Sequence, residues 1–151
     1  MAEGGEGVGA CHIFSTEGAS GGEEGVIYDL VEMTRLCYAG GGRWVVVHGE
    51  VADHVWHGPS PERALAAYLR ERLEGEEGYL ESLPGKCEEY LVLAREARGR
   101  GDPREAEWWE REHRSCLREL EERRVRVRLL RSAVEGLRTG RIKLRLEPLR
   151  E

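Results

Sequence analysis

The chain has 151 residues, of which 40% are hydrophobic and 34% charged, with a net charge of −6. That balance fits a single domain, residues 1–151, able to bury a core without help, and it excludes a disordered or fibrous polymer. No apolar run approaches the roughly 20 residues that cross a bilayer, and the acidic, Gly-rich start does not serve as a signal peptide, so a cytoplasmic protein with no membrane partner is expected.

Residues 1–25 hold eight glycines and five glutamates around one apolar island, Val8 to Phe14. Residues 1–7 read as a flexible terminus and 8–14 as a short strand. Gly5, Gly7 and Gly9 do not make a phosphate loop, because no strand precedes them and no Gly-Lys-Ser/Thr follows. Residues 26–37 alternate, and 44–56 are again rich in Val and aromatics. With Gly40-Gly41-Gly42 between them they read as a strand hairpin apolar on both faces.

Gly58-Pro59-Ser60-Pro61-Glu62 is a helix start: Ser60 offers the cap oxygen, Pro61 needs no amide partner, and Glu62 suits the positive end of the dipole. The helix spans about 61–98, with an interruption near 75–82 where Gly75 and Gly78 fall, before Ser82-Leu83-Pro84 restarts it. Its outgoing arm carries Leu83, Cys87, Tyr90, Ala94 and Ala97, at spacings of four, three, four and three. A return helix, about 103–138, carries Ala106, Trp109, His113, Cys116 and Leu120 at three, four, three and four. The two series mirror one another about the loop Gly99-Arg100-Gly101-Asp102, each facing pair of numbers summing to 203. A 3-4 repeat places each series on one helix face, so a short loop zips the two into an antiparallel hairpin. The same reflection sets Leu73 opposite Leu130, Leu69 opposite Val134 and Ala66 opposite Leu137. Val125, Val127 and Leu129 alternate with Arg and also fit a strand. Past Gly140, residues 141–147 alternate again and read as a half-buried edge strand. The fold class expected is therefore α+β: a small, mostly antiparallel sheet of three or four strands with a long helical hairpin.

Four cysteines in a reducing compartment would be free thiols, but neither Asn nor Gln occurs and Arg outnumbers Lys 21 to 2. This suits a protein that works hot, where disulfides persist, although a GC-rich genome also yields the Arg excess. Cys87 and Cys116 share a level on the seam; a bridge there needs closer helix approach than usual, and a pair of buried thiols is the alternative. Cys11 and Cys37, in separate predicted strands, form a second candidate pair.

Motifs of chemistry are sparse. His48, His54 and His57 with Asp53 are the densest group of metal-ligand types, but their spacing matches no closed zinc motif, and they read as surface residues at a strand end. His113 reads as a hydrogen-bonded core histidine. No Gly-x-Ser-x-Gly or comparable context marks a nucleophile, so no catalytic residue, metal or cofactor is assigned and an enzyme is the least favoured class. Trp109 fits the seam whereas Trp108 points about 100° away, towards a second packing layer or a partner surface. Residues 1–122 carry 13 basic and 26 acidic side chains, residues 123–151 carry 10 and 3. Arg124, Arg126, Arg128, Arg131, Arg141, Lys143 and Arg145 in that basic end either neutralise the acidic helix or contact an anion or nucleic acid. The expected function is a non-enzymatic macromolecule-binding or scaffold protein that acts through its hairpin and forms a homodimer or binds another protein. The alternative is a nucleic-acid-binding regulator using residues 123–145.

Overall fold

The computed structural model describes residues 10–49 and 55–149, and of Val55 the backbone alone; the flexible terminus expected at residues 1–7 lies outside them. The fold is α+β, with β1 (Cys11–Glu17), α1 (Gly21–Leu30), β2 (Thr34–Gly40), β3 (Arg43–His48), β4 (Val55–Gly58), α2 (Pro61–Gly99), α3 (Pro103–Thr139) and β5 (Lys143–Pro148). The five strands form one antiparallel sheet in the order β4-β3-β2-β1-β5. The chain divides into two compact units: one runs up to Leu73 and resumes at Leu129, the other is Glu74–Arg128.

In the sheet unit the structure corrects the expected strand at 26–37. Its first half is the C-terminal part of α1, and only Thr34 onward is extended. The cause is a capping box: the Ser20 hydroxyl accepts the Glu23 amide at 3.1 Å and the Glu23 carboxylate accepts the Ser20 amide at 2.9 Å. Two otherwise orphaned donors are thereby satisfied, and Val26, Ile27 and Leu30 become a buried helical stripe. Ser20→Ala is expected to cost about 1 kcal/mol, read as a lower urea midpoint at unchanged slope. The expected strand at 44–56 is also divided. β3 ends at His48, before Gly49 at φ 75°, and β4 pairs antiparallel beside it, giving five strands among the described residues where three or four were expected. The island at 8–14 is extended from Cys11 to Glu17.

Side chains alternate between the sheet's faces. On one, Phe14 stacks on Tyr28 of α1, while His48 and Trp56 pack on Tyr68 of α2; Leu36 and Val46 are buried there. The other gathers Cys37, Val45 and Val47 with Cys11 and Ala39. The expected apolar character of both faces of the 40–42 hairpin is therefore met in β2 and β3. Buried Ala66, Leu69 and Leu73 of α2 and Leu130, Val134 and Leu137 of α3, the positions the reflection paired, complete the core with Leu65.

At the sheet's end β5 is an edge strand beside β1, as expected. The Leu149 amide donates inward to the Cys11 carbonyl, whereas the Leu144 amide donates to the Glu62 carboxylate at 2.9 Å. The amides of β5 thus alternate in direction, odd-numbered residues facing β1.

The second unit is a two-helix hairpin. Here α2 is unbroken from Pro61 to Gly99, with Pro84 inside it, which corrects the interruption expected near 75–82. Gly75 and Gly78 each cost a helix about 1 kcal/mol. Offsetting ties reach α3 from the same turns: Glu76 to Arg123 at 3.0 Å, and the Tyr79 hydroxyl to Glu119 at 2.8 Å. The return helix is continuous through 125–130, which removes the strand alternative there.

Candidate functional site

The hairpin core consists of Leu83, Cys87, Cys116 and Leu120, with Leu80 and Tyr90 packed against it. Cys87 and Cys116 are joined in a disulfide with their Cα atoms 5.5 Å apart, so the helices do approach as closely as the bridge requires. Small Ala94, Ala97 and Ala106 lie buried towards the loop and allow that approach. The loop itself is set by Gly101 at φ 79° and by the Asp102 carboxylate, which accepts the Glu105 amide and starts α3.

Beside this seam Tyr90 stacks on Trp109 at 5.7 Å, and Trp109 meets Trp108 edge-on at 4.6 Å. The Trp109 indole donates to Glu105 at 3.2 Å. Trp108 is the outermost ring of the three and 46% exposed. Its neighbours are held by ion pairs, Arg98 on both oxygens of Glu110 and Arg100 on Glu105 at 3.0 Å. Leu117 is exposed too, but nine residues on, about half a helix turn's rotation from Trp108. The exposed apolar groups of α3 therefore form no single stripe.

Much of the basic run already faces carboxylates. Arg126 lies 3.6 Å from Glu76, which also takes Arg123, and Arg124 lies 3.8 Å from Glu121. Arg145 pairs with Glu17, and Arg141 with Glu23 at 2.8 Å. Arg131 also has a partner. Arg128 belongs to α3 and Lys143 opens β5.

The Glu23 cluster is the feature that sequence reasoning missed. Glu23 is 4% exposed and accepts from the Arg141 guanidinium, the Ser132 hydroxyl and the Ser20 amide. Arg141, foremost among these donors, and then Ser132 and Ser20, hold its carboxyl down at about 2, against the opposing pull of burial. Arg141 also reaches the Ser132 carbonyl. The cluster fastens the start of α1 to the end of α3 and the approach to β5. The signal was present as Ser20-x-x-Glu23, the spacing of a capping box.

The histidine group does not assemble among the described residues. His48 lies on the helix-covered face, its Nδ1 3.5 Å from the Tyr68 hydroxyl, which donates to the Leu30 carbonyl. His57 pairs in register with Val45 and so points to the opposite face. Asp53 and His54 lie outside the described residues. No cluster of three or more metal-binding side chains occurs among those described, and no helix there is long and apolar enough to cross a membrane. His113 is half-buried on the seam.

The chain matches no family model, no curated protein and no solved structure.

Proposed function

We propose that this is a non-enzymatic binding or scaffold protein whose contact element is the disulfide-stapled hairpin, Glu74–Arg128, with self-association through the face that carries Trp108. The observation behind this reading is the Tyr90–Trp109–Trp108 row, which ends in a half-exposed indole on a hairpin with its own crosslinked core. A large aromatic side chain braced edge-on by a stacked pair of rings loses little freedom on docking, which is what an interface anchor needs. The strongly shifted carboxylate, Glu23, is consumed by a structural network instead of being presented to a substrate. Two formed disulfides suit a hot cytoplasm or an oxidising compartment.

Light scattering across a concentration series tests this: a dimer is expected, and Trp108→Glu shifts it to monomer by weakening association at least about tenfold. A strict monomer at high concentration overturns the proposal. The rival reading, a nucleic-acid contact over 123–145, draws on the net charge of that run, much of which is already paired. It predicts binding to mixed DNA and RNA at low salt that Arg126→Glu, Arg128→Glu and Arg131→Glu together remove.

A further inference from the structure

Among the described residues the sheet is two ribbons joined over a short stretch. β2, β3 and β4 form a continuous meander, and β1 pairs with β5 through six residues, His12↔Pro148 to Glu17↔Lys143. Between β1 and β2 the register among the described residues comprises Cys11↔Cys37 and His12↔Leu36 alone, with the Tyr38 amide donating to the Ala10 carbonyl beside them. Beyond His12 the two strands part. The Thr16 amide, which by alternation points towards β2, donates instead to the Tyr28 hydroxyl at 3.2 Å. The disulfide Cys11–Cys37 sits on this short junction. Its two halves differ in access: Cys37 is 0% exposed and Cys11 is partly exposed, whereas both cysteines of the hairpin bridge are buried.

We infer that Cys11–Cys37 is a redox clasp: reducing it opens the β1–β2 junction while each ribbon of the sheet stays paired. The thiolate of a dithiol reductant attacks Sγ of Cys11, the less buried of the two cysteines, and Cys37 leaves as a thiolate that takes up a proton. The reductant's second thiol then attacks the mixed disulfide and releases the Cys11 thiol. The dithiol becomes a disulfide and two electrons pass to the protein. Among the described residues, what remains across the junction is a ladder of two register pairs with the Tyr38–Ala10 hydrogen bond beside it, too short to hold strands firmly without its crosslink. β1 itself stays anchored by β5 and by the Phe14 and Thr16 contacts with Tyr28.

The test uses full-length Cys87→Ala/Cys116→Ala protein, oxidised and then reduced with dithiothreitol, with amide exchange followed residue by residue by NMR. Within β2 the amides alternate: Leu36 and Tyr38 face β1, Arg35 and Cys37 face β3. On reduction Leu36, Tyr38 and His12 are expected to exchange at least about tenfold faster, with Arg35 and Cys37 unchanged. Unchanged exchange at Leu36 and Tyr38 overturns the inference, and so does an equal rise at all five amides, which would mean general loosening. Wild-type protein supplies a second measurement should that variant fold poorly. Thiol trapping with mass spectrometry under native conditions should label Cys11 and Cys37 before Cys87 and Cys116. Simultaneous or reversed labelling overturns the clasp.

Discussion

Arg141→Met is expected to destabilise the fold at neutral pH, read as a lower urea midpoint, because it leaves the Glu23 carboxylate buried without its cation. The acid limb of the stability curve reports the same group. Glu23 titrates at about 2 in the folded chain against 4.5 for an ordinary glutamate. A carboxyl with a lowered folded value binds its proton more readily in the unfolded chain, so its contribution is complete above pH 4.5 and is lost as pH falls through 4.5 towards 2. Allowing for solvent beside the half-exposed Arg141, that contribution is about 2 kcal/mol. Urea denaturation at pH 7, 5, 4 and 3 checks it by comparing slopes. Wild type should lose more stability than Glu23→Gln across this interval, and parallel curves would refute the assignment. Ser132→Ala should fall between the two, since it removes one donor and leaves the guanidinium in place.

Removing the hairpin bridge has the second large effect. Cys87→Ala/Cys116→Ala releases a loop closed over a separation of 29 residues, for which chain entropy gives about 3.5 kcal/mol. The small core of Leu83, Cys87, Cys116 and Leu120 has little else with which to offset that loss. Calorimetry should show the melting transition lowered by roughly 10 °C. Amides around Leu83 and Leu120 should lose protection while those of the sheet keep theirs. A midpoint within about a degree of wild type would show that helix packing alone holds the arm.

The hairpin was legible from sequence because its information is local and periodic. One constant sum aligned Cys87 with Cys116, and the intervening alanines left room for the bridge. The error at 75–82 came from treating glycines as stops. In a long helix anchored by Leu73 and Leu83, their cost is spread over the packing on either side. Residues 26–37 misled for a different reason. Val26-Ile27-Tyr28-Asp29-Leu30 has β-prone members and fits either period, and the deciding feature, Ser20 with Glu23, sits before the apolar run. The partner of Glu23 was out of reach altogether. Arg141 lies 118 residues away, and a sequence offers no means of choosing among 21 arginines. Trp108 lies off the seam and is exposed, yet its edge-on contact with Trp109 follows from rotamers that spacing does not encode.

The capture of the Leu144 amide by Glu62 bears on how copies of this chain can meet. Of the three β5 residues whose amides turn outward, Leu144 is taken, Pro148 has no N–H, and Leu146 is left as a lone donor. A neighbouring chain would find no row of hydrogen-bond donors on which to lay another strand. Growth of ordered fibrils from this rim is therefore opposed at its first step.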